Sequence, residues 1–413
     1  MNTDVAVIGA GALGLSAAVH CALRGRSVVV LDRRAPGSQA SGRAAGLFKS
    51  VQGDEVRTAL ARRSIELARH FTDWAGVPLP VVATGSLLVA RRPGPKKLLA
   101  TEAAQARSWG VAVEAVSPAE AAARAAGYYR AAGDEDVVWC PEDIYIEEPS
   151  SLVDAYLAAA RRLGVTILPE EPVTAVLTSG GEVSGLRTSQ RQVDTGVVVD
   201  AAGAWARAVG ALAGAQVAVA PVRHQLLITG PVPEVAPTAP ITRILDHAVY
   251  LRPARGGLML GGFEPDPLPL DPRDQPPSFD TDDVPLDQGV LRTMAAQVAD
   301  LVPAAGQVGD GGTAGADHRG GLFTMSPDGR FLAGPVPEIP GFWILSGCNG
   351  SGFSSSLALG EALAKWIVAG RPPAGLESLA PFRFGPLPNA TLIERGTWQY
   401  AHYYDPAAAP SPT

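Results

Sequence analysis

The sequence predicts an α/β chain, α+β overall, in which a parallel-sheet unit encloses a separate β-rich stretch. Three observations predict it. Residues 4–34 read as strand, glycine-rich turn, helix and strand. Residues 342–369 read as strand, glycine turn and helix again, and residues 221–302 between them are β-patterned and rich in proline. A chain that leaves a sheet and later returns to it is implied.

In the first block Val5, Val7 and Ile8 form a short buried strand, an alanine-rich helix runs from about Leu13 to a Gly25 C-cap, and residues 27–31 form the next strand. "TALARRSIELARHFTDWAG" has helical period, "GSLLVARR" reads as a strand, and "KKLLATEAAQARSWG" as a helix closed by glycine. Residues 151–163 read as a helix leading into a strand at 165–168. Two more strands follow, and then the apolar strand of "GVVVDAAGAW". "HQLLITG" and "AVYLRPARGGLMLGGFE" are β-like, and the acidic "EPDPLPLDPRDQPPSFDTDDVP" reads as an ordered surface loop, with a linker as the alternative. In "GFWILSGCNGSGFSSSLALGEALAKWIVAG" the closing helix spans residues 354–369.

Composition narrows the partners. A net charge of −7 without a basic stripe argues against nucleic acid and against an anionic membrane surface. The apolar N-terminal run follows Asp4, lacks a basic flank and is punctuated by glycine, so no signal peptide or membrane insertion is expected, and a cytoplasmic location is. Three widely spaced cysteines suggest neither a disulfide framework nor a metal site.

Gly9-Ala10-Gly11-Ala12-Leu13-Gly14 lies between a strand and a helix, and Asp32 ends the following strand with Arg33 beside it, close to the spacing of about 20 residues that a dinucleotide fingerprint requires. Gly9 permits the turn, Gly11 lets the backbone approach a pyrophosphate, and Gly14 lets helix pack on strand. The helix N-terminus supplies amide donors, and Asp32 accepts from ribose hydroxyls. Three later features favour FAD over NAD. Small residues run through "ASGRAAGLF", with Ser41, Gly42, Arg43, Ala45 and Gly46 near a long cofactor. Ala202, Gly203 and Trp205 follow a strand, and Gly347, Asn349, Gly350, Ser351, Gly352 and Phe353 open a helix suited to a reduced flavin's negative charge. Val173 is counted with these cofactor-binding positions.

"VIGAGALGLSAA", "SGRAAGL", "VVDAAGAW" and "PDGRFLAGPVPEIPGFWILSGCNGSGF", in this order, resemble FAD-dependent amine oxidoreductases of the D-amino-acid-oxidase superfamily. "PVRHQLLITGPVP", "VYLRPARGGLMLGGFEP" and "FRFGPLPNATLIERGTWQYAHYY" narrow the resemblance to the flavin half of dimethylglycine dehydrogenases and oxidases and of sarcosine dehydrogenases, over residues 4–405. It implies an FAD-binding dinucleotide fold with an interleaved, β-rich substrate domain. Residues 1–80, 145–220 and 330–385 would bind FAD, 81–144 and 221–329 would form the substrate domain, and 386–413 a C-terminal tail. The folate-binding half of the larger members is not part of the match, so any formaldehyde formed would be released or handed to a partner. Arg43 stands where those dehydrogenases tether the flavin through histidine, and Gly321 where monomeric sarcosine oxidases use cysteine, so noncovalent FAD is expected. Met259 replaces the oxygen-assisting lysine of those oxidases, and Phe323 the carboxylate-gripping arginine of other relatives.

The implied reaction moves a hydride from the carbon beside a secondary or tertiary amine, of an N-methyl or cyclic amino acid, to flavin N5. The imine formed hydrolyses or stays cyclic. Alternatives are a D-amino-acid or 2-hydroxy-acid dehydrogenase, or a non-catalytic flavin-binding regulatory subunit. Oxygen or a redox partner would take the electrons, and a homo- or hetero-oligomer is compatible. His224, in the "HQ" position, is expected to take the ammonium proton or orient the amine, its pKa lying in the working range, with a satisfied core histidine as the plain alternative. Tyr250 and Arg252 share one strand face and together suit a carboxylate, against a strand-edge ion pair with Glu264 or Asp266. Tyr145 and Phe323 are placed in the substrate pocket. Cys348 is read as a small packed residue, and Arg43 either contacts the flavin or pairs with Asp54 or Glu55.

Overall fold

The computed structural model describes residues 1–125, 127–309 and 315–404. Its first sheet has six strands, in the order Leu332–Pro335, Phe342–Ser346, Val198–Asp200, Val5–Ile8, Val28–Leu31, Thr166–Leu168. All neighbours run parallel except the Leu332–Pro335 edge strand. The central strands are buried along their whole length, as the unbroken valine runs require when helices cover both faces. The Ala12–Ala22 helix packs against the Gly352–Ala369 helix, which Gly360 makes possible. A Cβ at residue 360 would collide with Ser16. Thus the first and last sequence blocks form one layer.

The second sheet has eight strands: Asp317–Met325, Ala220–Pro231, Gly257–Gly262, Val249–Ala254, Ile241–Ile244, Ser86–Ala90, Asp136–Cys140, Glu114–Val116. Only the pair Ile241–Ile244 and Ser86–Ala90 is parallel. The hairpin at residues 249–262 turns on Arg255 (φ 53°) and Gly256 (φ 76°), the left-handed pair that a tight two-residue turn needs.

Two readings change. Residues 386–413 were expected as a tail, yet Asn389–Ala401 is a helix packed on Ala220–Pro231, because Leu392 and Tyr400 bury one apolar face there; residues 405–413 lie outside the described part. The middle stretch also holds the Gln288–Val298 helix, which buries Leu291, Met294, Ala295 and Val298. The acidic loop is ordered, with 3-10 turns at Pro272–Asp274 and Thr281–Asp283.

Candidate functional site

A cavity of about 480 Å³ is lined from both sheets. At one end lies the glycine turn. Gly9 has φ 110°, and a Cβ there would meet the Ala201 carbonyl, so only glycine fits. Gly11 faces the cavity. The Ala12 N–H donates to Ser41 Oγ at 3.0 Å. Asp32 accepts from the Ala10 and Arg34 backbone N–H groups at 2.7 and 2.8 Å, and burial pushes its carboxyl up.

The Ala12–Ala22 and Gly352–Ala369 helices both begin at this cavity, with no side-chain cap from their N-cap residues and no acid in the first turn. Two helix N-termini without a charged cap, a turn with room for backbone approach and an acid at the end of the second strand are the fittings that an extended dinucleotide with anionic groups requires. The site fits FAD on these grounds.

Most expected cofactor positions line the cavity: beside the turn Leu13, Arg33, Arg43, Ala45 and Gly46, further along Val173, Ala202, Gly203 and Trp205, and at the second helix Gly350, Ser351, Gly352 and Phe353. Gly14, Gly42, Gly347 and Asn349 stand behind the wall. Gly14 packs on the Gly9 carbonyl, the Gly42 N–H donates to Gly37 O at 2.9 Å, and Asn349 Nδ2 donates to Gly347 O at 2.6 Å. Arg43 borders the cavity and pairs with Asp282 at 2.6 Å, not with Asp54 or Glu55. Asp54 instead caps the Glu55–Arg69 helix and pairs with Arg57. Around Arg43, the acidic loop is strapped over this end. Arg33 Nη2 donates to Pro277 O and Phe279 O and its guanidinium lies 4.7 Å over the Trp205 ring, while Arg34 and Gln39 both reach Asp280.

At the other end His224 sits between two tyrosines. Its Nδ1 is 2.8 Å from the Tyr400 hydroxyl and its Nε2 2.8 Å from the Tyr250 hydroxyl, and Phe323 stacks on the ring at 4.1 Å. Burial pulls the His224 pKa down to about 3 and pushes both tyrosines up. The expected proton acceptor with a pKa in the working range is therefore corrected: the imidazole is neutral, one nitrogen donating and the other accepting.

Arg252 is also corrected. It is absent from the cavity wall. Burial lowers its pKa to about 10, and it donates to the carbonyls of Ala45, Glu147 and Pro253 at 2.7–3.0 Å while lying 4.6 Å over the Tyr145 ring. It forms no ion pair with Glu264, which holds Arg223 at 2.6 Å. Tyr145 is buried against Arg252 and its hydroxyl faces Pro237 O, so it too lies off the wall. Met259 is buried beside Ala45. Cys348 does border the cavity, its Sγ accepting from the Thr324 N–H at 3.2 Å.

Sequence reasoning missed Arg243, Lys49, Phe263, Tyr400, Tyr403 and Tyr404. Arg243 pairs with Tyr250 in register across the sheet, a placement that "ITRIL" carries only as one charge in an apolar strand. Its Nη1 donates to Asp143 at 3.0 Å, and that carboxylate also accepts from the Ser50 N–H, Ser50 Oγ and Ser86 Oγ. Elsewhere, Asp200 in "VVVD" accepts from the Ala202 N–H at 3.1 Å, its other oxygen has no partner among the described residues, and burial raises its pKa to about 8.

Fold and cavity together define a dinucleotide-binding oxidoreductase-type chain whose cavity ends in an aromatic wall away from the glycine turn. Residues 4–366 match the model of the D-amino-acid-oxidase family, described as FAD dependent oxidoreductase, and the chain belongs to that family. FAD is the cofactor of its homologues. Over 377 residues it is 28% identical to 4-methylaminobutanoate oxidase (formaldehyde-forming) of Paenarthrobacter nicotinovorans, covering 91% of this chain and 44% of that protein. It is 27% identical over 397 residues to human mitochondrial sarcosine dehydrogenase, covering 93% and 41%. The chain thus spans less than half the length of these relatives. Its fold matches the crystal structure of L-proline dehydrogenase from P. horikoshii with a TM-score of 0.81 at 24% identity, over 93% of this chain and 98% of that one. No helix among the described residues is long and apolar enough to cross a membrane.

Proposed function

We propose that this chain oxidises a secondary or tertiary amine of N-methyl or cyclic amino-acid type, with FAD held noncovalently, giving an imine that hydrolyses or stays cyclic. The observation that carries the reading is the His224–Tyr250 hydrogen bond on the wall of the cavity that begins at the dinucleotide turn. The relatives named for N-methyl substrates support it.

FAD, when bound, supplies the acceptor for the electron pair leaving the carbon beside nitrogen. The chain would hold it with the Gly9–Gly14 turn, Asp32, the Ala44–Gly46 backbone and the start of the Gly352–Ala369 helix. Phe263, Phe323 and Tyr403 exclude water from the reacting end, which disfavours an ammonium and favours the neutral amine. The Tyr250 hydroxyl, held in place by His224 Nε2, offers the amine one fixed hydrogen-bonding group. Because His224 stays neutral and both its nitrogens are engaged by tyrosine hydroxyls, it positions Tyr250 and does not store a proton.

The test is anaerobic bleaching of the purified yellow protein by a panel of N-methyl and cyclic amino acids. Bleaching by at least one supports the proposal, and air reoxidation then tells oxygen from a redox partner as acceptor. Bleaching only by D-amino or 2-hydroxy acids, or by nothing in the panel, overturns it.

A further inference from the structure

We infer that Tyr403 is a positioning residue for the charge of the reduced flavin. It draws the Ser351 hydroxyl aside and so keeps the first amides of the Gly352–Ala369 helix free to receive that charge. The inference rests on the reading above for the place of FAD against this helix. FAD itself is indicated by the glycine turn and by the family match, independently of the helix end.

Ser351 is the N-cap residue of that helix, and serine there ordinarily accepts from the first-turn N–H groups. Here it does not. Its ψ of 8° departs from the extended shape that capping uses, and its Oγ lies 3.2 Å from the Tyr403 hydroxyl. The next hydroxyl is turned away as well, because Ser354 Oγ donates to the Ser351 carbonyl at 3.1 Å. The N–H groups of Gly352, Phe353 and Ser354 therefore have no acceptor among the described residues, and all three residues border the cavity.

Tyr403 is held in place from the substrate side. Its ring stacks on Phe263 at 3.9 Å with 7° between the planes. Both rings rest on Gly350, where φ is 75° and a Cβ would sit 3.2 Å from Tyr403 and 3.3 Å from Phe263. Packing explains the ring. The hydroxyl, however, meets the residue that decides whether the helix is capped. Free amides at a helix N-terminus carry partial positive charge, and a flavin that has taken up an electron pair carries negative charge near N1. Without the Tyr403 hydroxyl, Ser351 is released to cap its own helix, which withdraws those donors.

The experiment measures the flavin midpoint potential of the FAD-loaded protein, by stepwise reduction with dithionite in the presence of reference dyes. Tyr403→Phe should shift the equilibrium about tenfold toward the oxidised form, about −30 mV for a two-electron couple and the scale of one charged hydrogen bond. Ser351→Ala has no hydroxyl to cap with and should stay within about twofold of wild type. For the same reason Tyr403→Phe combined with Ser351→Ala should return to within about twofold. A wild-type potential in Tyr403→Phe, or a double variant shifted as far as Tyr403→Phe alone, overturns the inference. Loss of FAD from both Tyr403 variants also overturns it, since the tyrosine would then hold the cofactor by packing. No amine is involved, so failure of every amine to bleach the flavin would remove the proposed reaction and leave this result standing.

Discussion

Tyr250 reaches His224 because the residue between them is glycine. Tyr250 and Gly261 are paired across the sheet, a Cβ at 261 would run into the tyrosine ring and hydroxyl, and the ring therefore lies flat across that position to place its oxygen 2.8 Å from Nε2. Gly261→Ala and Tyr250→Phe should both cost this hydrogen bond. Anaerobic bleaching by the best amine is expected to slow about tenfold or more in each, on the scale of one hydrogen bond, with FAD content unchanged. Wild-type bleaching rates in both would show that the contact is structural.

Stability should peak near pH 6.5. His224 and His20 are both buried with pKa values lowered to about 3, so below 6.5 the unfolded chain binds two protons that the folded chain refuses. Stability from these groups is lost as pH falls. Asp200 works the other way, since its folded pKa near 8 makes the folded chain hold a proton that the unfolded chain releases above about 4. From these three groups the net between about pH 4 and 6.5 is one proton, about 1.4 kcal/mol per pH unit, and the lowered pKa values of His247 and His318 act in the same direction. From 6.5 to 8 the sign reverses. Denaturant midpoints across pH check this, and Asp200→Asn should abolish the alkaline decline.

Gly11 separates cofactor binding from folding. Its Cβ would meet only Ser41 Oγ, at 3.1 Å, so the chain tolerates a side chain there while the space for a pyrophosphate is filled. Gly11→Val is expected to fold with a near-native circular dichroism spectrum and bind FAD at least 100-fold more weakly by fluorescence titration. In the wild-type protein, acid precipitation should leave all the flavin in the supernatant.

Arg252 should behave as a brace. Truncation strands three backbone carbonyls in the interior, so Arg252→Met should lose about 3 kcal/mol of stability.

The dinucleotide end was legible because its constraints are local. A strand, three glycines and an acid lie within 32 residues, and the reason for each is a backbone approach that sequence displays directly. The substrate end was legible only in part. His224 and Tyr250 stood out by type, but which arginine faces the cavity depends on strand register, and alternation places Tyr250 and Arg252 on one face without saying how deep each sits. Arg252 lies under the Ala45 backbone, whereas Arg243 comes from another strand. Tyr400 escaped because its helix follows a loop with no apolar run long enough to mark it.

The acidic loop and Arg43 set how the cofactor departs. In the proposed noncovalent state this end of the cavity is shut by two ion pairs, Arg34 on Asp280 and Arg43 on Asp282, with Gln39 donating a further hydrogen bond to Asp280. Such a closure is an ionic latch, weakened by salt on the scale of the Debye length. Flavin exchange should therefore quicken as ionic strength rises, and quicken further in Asp282→Asn. The protein would trade its cofactor with the surrounding pool at a rate its solvent sets.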